Sequence, residues 1–409
     1  MNILYTISII LYSAGIRIAS VFNQKAGQWI KGRRGWRKNL ISGLSGSTRK
    51  LIWFHCASLG EFEQGRPVIE SVKEKYPEFQ ILLTFFSPSG YEVRKNWDGV
   101  DYIFYLPADT VSNARRFVEI TQPSMVFFVK YEFWNNFISA IHRKGTPLYL
   151  ISGIFRPQQY FFRWYGGFFR NLIRKFTHIY VQDEESFRLL QQIGIKESTI
   201  AGDTRFDRVK KIASAATSLP LIEAFCAEEK VAVAGSSWPQ DEELIIKYIN
   251  EHPGKIKWII APHEISKSNI ERIESQIKVK STRYSDKGAD ISVARVMIID
   301  NIGILSSVYR YAVVAVIGGG FGKGIHNILE AACWGLPVLF GPNYEKFREA
   351  VDMLKLKAAY SFKDYNKFSD LLDSLLDNSE VYSDASREAS KYVEANAGAT
   401  QKIVTEAFR

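Results

Sequence analysis

The sequence predicts an α/β protein: two doubly wound, Rossmann-like domains with an interdomain cleft, preceded by an N-terminal membrane-associated helix. Three observations carry that prediction. From residue 50 onward, short β-rich runs alternate with amphipathic stretches, as parallel strands covered by helices on both faces require. The alternation lapses near 208–228 and then restarts, and 409 residues suit two domains better than one. The first 22 residues, MNILYTISIILYSAGIRIASVF, are mostly apolar.

Residues 1–22 are about one membrane span in length, interrupted by Arg17. Residues 23–49 form a basic segment with Lys25, Lys31, Arg33, Arg34, Arg37 and Lys38, interleaved with Trp29 and Trp36. An apolar run with a basic, Trp-rich flank on its C-terminal side suits an anchor whose following chain stays in the cytoplasm. A secretory signal would carry its charges first. A spanning helix, an interfacial helix and an amphipathic helix packed on the protein itself all remain open.

The first domain, 50–207, shows strand runs at 51–57, 80–86, 102–106, 125–130, 147–152 and 178–182, with helix-like stretches at 62–75, 110–121 and 184–193. Residues 208–228 lack a strand signal and read as a linker. The second domain, 229–409, shows strand runs at 230–236, 257–263, 296–300, 311–320, 337–342 and 358–362, and ends in helices with charged faces.

The balance is basic, 53 Lys+Arg against 43 Asp+Glu, which suits anionic partners. Cys56, Cys226 and Cys333 have neither disulfide-framework nor zinc spacing. No DxD pair or His/carboxylate cluster has metal spacing, so no metal is expected. No Ser/His/Asp signature and no nucleic-acid-binding module is present.

In open α/β sheets ligands bind beyond the carboxyl ends of the strands. Ser58, Gly60 and Glu61 follow the first strand run, and Glu132 follows the 125–130 run in an aromatic setting. Ser58 and Glu61 also match a capping box, which would make the acid structural. In the second domain Ser236 and Ser237 follow one strand, as an N-cap or a phosphate contact. Pro262 and His263 follow the next; His263 reads as a local structural histidine or a ligand contact. The stretch IGGGFGKGIHNILEAACWGLPVLFGP (317–342) places Gly318, Gly319, Gly320, Gly322 and Gly324 before a helix expected to begin near Asn327. Glycines there let backbone amides approach a phosphate, with Glu330 one turn into the helix and facing a ribose. The spacing is neither a Walker A loop nor a clean GxGxxG. A bare strand–helix turn is the alternative.

Together these stretches resemble the 3-deoxy-D-manno-octulosonic acid (Kdo) transferase family of lipopolysaccharide biosynthesis, glycosyltransferases of GT-B architecture. The likeness runs from about residue 50 to 345. WFHCASLGEFEQGRPVI resembles the family's WxHxxSxGE segment, and LLTFFSPSGYE, YLPAD, EFWNN, AGDTRFD, AGSSWPQDEE and the glycine-rich stretch follow in family order. Departures are APH for PRH at 261–263, GIHN for GGHN at 324–327, and Asn135 where the family has Pro.

The resemblance implies transfer of Kdo from CMP-Kdo to the lipid A precursor (the tetraacyl disaccharide bisphosphate, lipid IVA) at the cytoplasmic face of the bacterial inner membrane. It implies an inverting, metal-independent reaction without a cofactor. Glu61 would be the general base and Glu132 a second essential acid in an acceptor-binding first domain. The second domain would bind CMP-Kdo through Ser236, Ser237, Pro262, His263, the glycine loop, His326, Asn327 and Glu330, with Ser58 and Gly60 shaping the first-domain turn. The basic, aromatic stretch 154–176 carries Arg156, Arg163, Arg170 and Arg174 and would face the acceptor or an anionic membrane surface; a surface helix with a buried aromatic face is the plainer reading. A GT-B enzyme using a UDP-sugar, or a membrane-anchored lipid-binding protein, are the competing functions.

Overall fold

The computed structural model describes residues 2–46, 49–286 and 290–409. The chain divides into two compact units, the first running to Asp207 and regaining Ala397–Arg409, the second being Arg208–Asn396.

In the first unit seven strands follow in chain order: β1 (Leu51–Cys56), β2 (Gln80–Phe85), β3 (Tyr102–Tyr105), β4 (Met125–Val129), β5 (Leu148–Gly153), β6 (His178–Val181) and β7 (Ser198–Ile200). They pair in parallel in the order β3-β2-β1-β4-β5-β6-β7. Every residue of β1 is buried, because helices cover both faces of a parallel sheet and leave its central strands no wet side. One face packs Trp53, Leu82, Phe128 and Phe137, the other Ile52, Phe54, Phe85 and Phe127. The order reverses between β1 and β4, and their carboxyl ends border the crevice that such a reversal opens.

The second unit repeats the plan with β8 (Val231–Ser237), β9 (Lys257–Pro262), β10 (Ser281–Arg283), β11 (Val296–Ile298), β12 (Val314–Ile317), β13 (Val338–Phe340) and β14 (Ala359–Ser361). All pairs are parallel, in the order β10-β11-β9-β8-β12-β13-β14, with the reversal between β8 and β12.

All twelve expected strand runs are strands. The two unexpected ones, β7 and β10, are three-residue edge strands carrying polar side chains, so they show no apolar run. Two boundaries differ from expectation. The presumed linker is mostly helical (Thr204–Ala215 and Pro220–Cys226), and from Arg208 it belongs to the second unit. The final helix, Ala399–Ala407, belongs to the first unit, not the second. Ile403, Val404 and Ala407 complete the core around Phe54 and Phe127, Phe408 stacks on Tyr76 at 4.0 Å, and Asp207 accepts the Thr400 amide at 2.7 Å.

Among the described residues no helix is long and apolar enough to cross a membrane. The N-terminal helix, Asn2–Ala19, docks on the first unit through hydrogen bonds and through the rings of Tyr5 and Tyr12, which meet Phe168, Trp29 and Phe86. Tyr5 donates to Asp109 at 2.7 Å, and the Asn136 amide group reaches Thr6 at 3.4 Å. Its Ile3, Leu4, Ile7, Ile10, Leu11 and Ile18 face outward and stay exposed. A helix packed on its own protein for stability would bury that stripe instead.

Candidate functional site

In the first unit both expected acids emerge at the reversal. β1 ends at Cys56, Ser58 is extended (φ −141°), and the helix Leu59–Lys75 begins at the next residue. The capping box does not form: the Ser58 hydroxyl donates directly to the Glu61 carboxylate rather than accepting a helix amide. Glu61 is half-buried, and Gly60 beside it is exposed, where a Cβ would meet only the Ser58 hydroxyl at 3.8 Å. Further along, a Cβ on Gly65 would lie 2.9 Å from Val129, so the glycine lets the helix settle on β4.

Beyond β4, Lys130 takes a left-handed conformation (φ 68°) that turns the chain out of the sheet. Burial pushes its ammonium below the usual lysine range, and nearby Glu61 opposes that shift. The KYE triplet thus supplies a cation as well as an acid, and Lys130 was not singled out from the sequence. Glu132, 5% exposed, accepts the Trp134 indole N–H and contacts His55 Nε2 at 3.0 Å, both through Oε2. His55 was also missed. It lies in an apolar strand, and only its register partner Thr84 hints that the position is polar.

The basic, aromatic stretch 154–176 is not one helix. It is loop, a short 3-10 turn (Tyr160–Phe162) and the helix Gly167–Ile173, because Gly166 packs where a Cβ would meet the Tyr160 carbonyl at 2.0 Å. Arg170 donates to the carbonyls of Phe161 and Arg163, and Arg174 to Asn171 and the Ile193 carbonyl, so both are structural ties rather than free contacts. Arg156 and Arg163 are exposed, the latter next to Trp164, which is 91% exposed. Arg156 is also a charge felt by Lys130 and Tyr131.

In the second unit the expected residues gather at the carboxyl ends of β8, β9 and β12, with local roles that differ from expectation. Neither serine is an N-cap; Trp238 holds that position before the helix Pro239–Glu251. Ser237 donates to Glu242 at 2.9 Å, and Ser236 occupies a left-handed bulge (φ 52°). Gly318 must be glycine because a Cβ there would lie 2.3 Å from the Ser236 carbonyl.

The loop does not offer the expected row of free amides. The N–H groups of Gly318, Gly319, Gly322 and Gly324 donate to Gly235 O, Asp241 Oδ2 and, for the last two, Gly319 O. Gly320 packs against the Gly341 backbone. The following helix is a single turn, Leu329–Ala332, rather than a helix starting at Asn327, because Gly335 (φ 72°) turns the chain toward β13. Glu330 therefore lies at its second residue, with Oε1 taking the Asn327 amide at 3.1 Å and Oε2 the Ser306 hydroxyl at 2.5 Å.

What the second unit does present is a stack of rings. His263, just past Pro262, lies 4.5 Å from Trp238 and 4.6 Å from His326 between ring centroids. Trp238 Nε1–H donates to His326 Nε2 at 3.0 Å, so that nitrogen carries no hydrogen. Burial, then His263, lowers the His326 pKa. Trp238, Asp241 and Ser306 were not anticipated. Among the described residues no group of three His, Cys, Asp or Glu is arranged to hold a metal ion.

Two doubly wound parallel sheets of seven strands, each with its polar residues at the reversal, define a protein of the GT-B type. In agreement, a UDP-GlcNAc 2-epimerase from Neisseria meningitidis superposes with TM-score 0.62 at 16% identity, over 88% of this chain and 99% of that one, a likeness of fold alone. The family profile "3-Deoxy-D-manno-octulosonic-acid transferase (kdotransferase)" matches residues 30–208. Curated relatives include the 3-deoxy-D-manno-octulosonic acid transferase of Rickettsia felis, 28% identical over 369 residues, 88% of this chain and 78% of the relative. That of Aquifex aeolicus is 28% identical over 315 residues, 75% and 80% of the two chains. Over most of its length the chain is similar to the Kdo transferases, a glycosyltransferase family.

Proposed function

We propose that this protein is a Kdo transferase that uses CMP-Kdo as donor and the phosphorylated, acylated lipid A precursor lipid IVA as acceptor, with inversion and without a metal or organic cofactor. The observation that supports it most is Glu61. This half-buried acid stands at the carboxyl end of β1, its carboxylate oriented by the Ser58 hydroxyl and close enough to Lys130 to oppose that lysine's pKa shift. Glu61 is the general base that takes the acceptor hydroxyl proton as CMP departs. The departing group is a phosphate monoester, whose charge donors and dipoles can stabilise without a metal. Glu132 is a second carboxylate able to stabilise positive charge on the sugar ring. The ring stack of Trp238, His263 and His326, with Glu330 held by Asn327 and Ser306, is the surface offered to the nucleotide.

The reaction is proposed to occur at the cytoplasmic face of the inner membrane. The outward apolar stripe of the Asn2–Ala19 helix, followed by exposed Lys25, Lys31, Arg34 and Arg37, is the composition of a helix lying in an anionic interface. Exposed Trp164, Tyr165 and Arg163 suit the same surface.

The test incubates purified protein with CMP-Kdo or with UDP-sugars and the lipid A precursor, and reads products by mass spectrometry for the wild type and Glu61→Ala. A Kdo adduct from CMP-Kdo alone, absent in the variant, is expected. Transfer only from a UDP-sugar would sink the donor assignment. Flotation with vesicles containing or lacking anionic lipid tests the location, and protein that stays unbound to both would refute it.

A further inference from the structure

The surroundings of Glu132 have an internal logic that the reading above does not use. Among the described residues, Oε2 of this acid meets the Trp134 indole N–H and His55 Nε2; the indole nitrogen also lies 3.1 Å from His55 Nε2, but its single hydrogen goes to the charged carboxylate, the shorter contact. His55 is fully buried near the carboxyl end of β1, between Thr84 of β2 and Phe128 of β4. A buried imidazole must satisfy both nitrogens or forfeit their desolvation cost.

The other nitrogen faces Thr84. His55 Nδ1 lies 2.8 Å from Thr84 Oγ1 and 3.1 Å from the Thr84 carbonyl. The same hydroxyl accepts the Trp53 indole N–H at 2.8 Å, and its alternative acceptor, the Phe54 carbonyl, is at 3.4 Å. The threonine proton is therefore best spent on Nδ1. A neutral ring that accepts at Nδ1 carries its hydrogen on Nε2, aimed at Glu132. Every donor in the chain Trp53, Thr84, His55, Glu132 then points the same way. The opposite tautomer would let Nδ1–H reach the Thr84 carbonyl and Nε2 accept the Trp134 indole N–H at 3.1 Å, but it would set the lone pair of Nε2 against a carboxylate oxygen at 3.0 Å.

We infer that His55 and Thr84 are positioning residues for Glu132: Thr84 selects the Nε2–H tautomer of His55, and His55 with Trp134 pins Oε2, leaving Oε1 for the substrate. This rests on the proposed role of Glu132 in transfer. Neither positioning residue touches substrate; each acts through the acid at the end of the chain. Wrong-tautomer histidines keep their place and lose their function, which sets the expectation for Thr84→Val.

The test uses the full chain labelled with 15N-histidine, and long-range 1H–15N spectra to read the tautomer of each of its six histidines, His55 being assigned by loss of its signals in His55→Gln. The wild type is expected to show His55 protonated at Nε2 only, and Thr84→Val to lose that pattern while Thr84→Ser keeps it. In transfer assays His55→Leu and Thr84→Val should lower kcat by about 100-fold with KM for CMP-Kdo unchanged, the scale of a misplaced reacting group. His55→Gln, which can still present a donor near the Nε2 position, should recover about tenfold of that. A His55 hydrogen on Nδ1 in the folded wild type overturns the inference without any variant having to fold. So does wild-type kcat in His55→Leu while Glu132→Gln is inactive, an outcome that leaves the transferase reading standing. Wild-type kcat in both His55→Leu and Glu132→Gln would instead remove Glu132 from the reaction and the inference with it.

Discussion

Asp241 Oδ2 accepts the Gly319 amide at 2.9 Å and the Trp238 amide at 3.0 Å, joining the loop after β12 to the start of the helix after β8. Its Oδ1 is buried with no hydrogen-bond partner among the described residues, and burial raises its pKa above the ordinary carboxylate range. One acid thus sets the spacing between the glycine loop and Trp238, on which the ring stack depends.

Asp241→Ala should leave two amides unsatisfied, costing about 1–3 kcal/mol and raising KM for CMP-Kdo more than it lowers kcat. Asp241→Asn keeps an acceptor and removes a buried charge. Because the folded-state pKa is raised, the acid's stabilising share is present at low pH and lost as pH rises through that pKa. At pH 7 the Asn variant should therefore melt no lower than the wild type. Urea titrations of both variants check this; an Asn variant as unstable as the Ala variant would refute it.

Ser58→Ala separates the two readings of the first turn. A capping serine would cost about 1 kcal/mol when removed. Since the hydroxyl here orients Glu61, stability should hardly move, while kcat falls several-fold and Glu61→Gln falls by about 100-fold or more. Calorimetry alongside the transfer assay decides: a destabilised, fully active Ser58→Ala would restore the cap.

Asp109 gives the first unit one source of pH-dependent stability. Burial lifts its pKa to about 6, against the opposing pull of Tyr5 and the amides of Asn136 and Phe137. A raised folded pKa means that its contribution is complete below the unfolded value near 4 and drains away as pH climbs to about 6. Stability relative to Asp109→Asn should fall by about 3 kcal/mol across that window. Denaturation between pH 4 and 7 measures it, and parallel curves for the two proteins would disprove it.

Gly318→Ala sets a Cβ 2.3 Å from the Ser236 carbonyl and 2.6 Å from the Ser237 Cα, backbone that cannot rotate aside. We expect a loss of about 1–3 kcal/mol and weaker donor binding. Gly322→Ala meets only a carbonyl at 3.6 Å and should be tolerated. Equal melting temperatures for the two variants would contradict this.

The strands were legible because a parallel sheet covered on both faces writes uninterrupted apolar runs such as LIWFHC and MVFFV. The short edge strands β7 and β10 carry no such run and went unseen. The candidate acids were legible because Glu61 and Glu132 directly follow strands. Their partners were not. Lys130 reads as an ordinary strand-end charge, and His55 and Thr84 meet only through register between strands 29 residues apart. The glycine cluster was legible as a tight turn, yet its amides are consumed by Gly235, Asp241 and the loop itself, which no local pattern announces.

The sequence by itself determined the two-sheet α/β class, the ordered motifs of the Kdo transferases and the placement of polar residues after strands, since these follow from local periodicity and chain order. Tertiary structure alone decided that the last helix returns to the first unit and that the N-terminal helix docks by its tyrosines, with its aliphatic stripe outward. It also decided that Ser58 serves Glu61 rather than the helix, and that a line of polar contacts runs from Trp53 through Thr84 and His55 to Glu132. Those outcomes depend on which groups distant in sequence become neighbours once apolar faces are buried, where every hydrogen-bonding group must find a partner inside the protein.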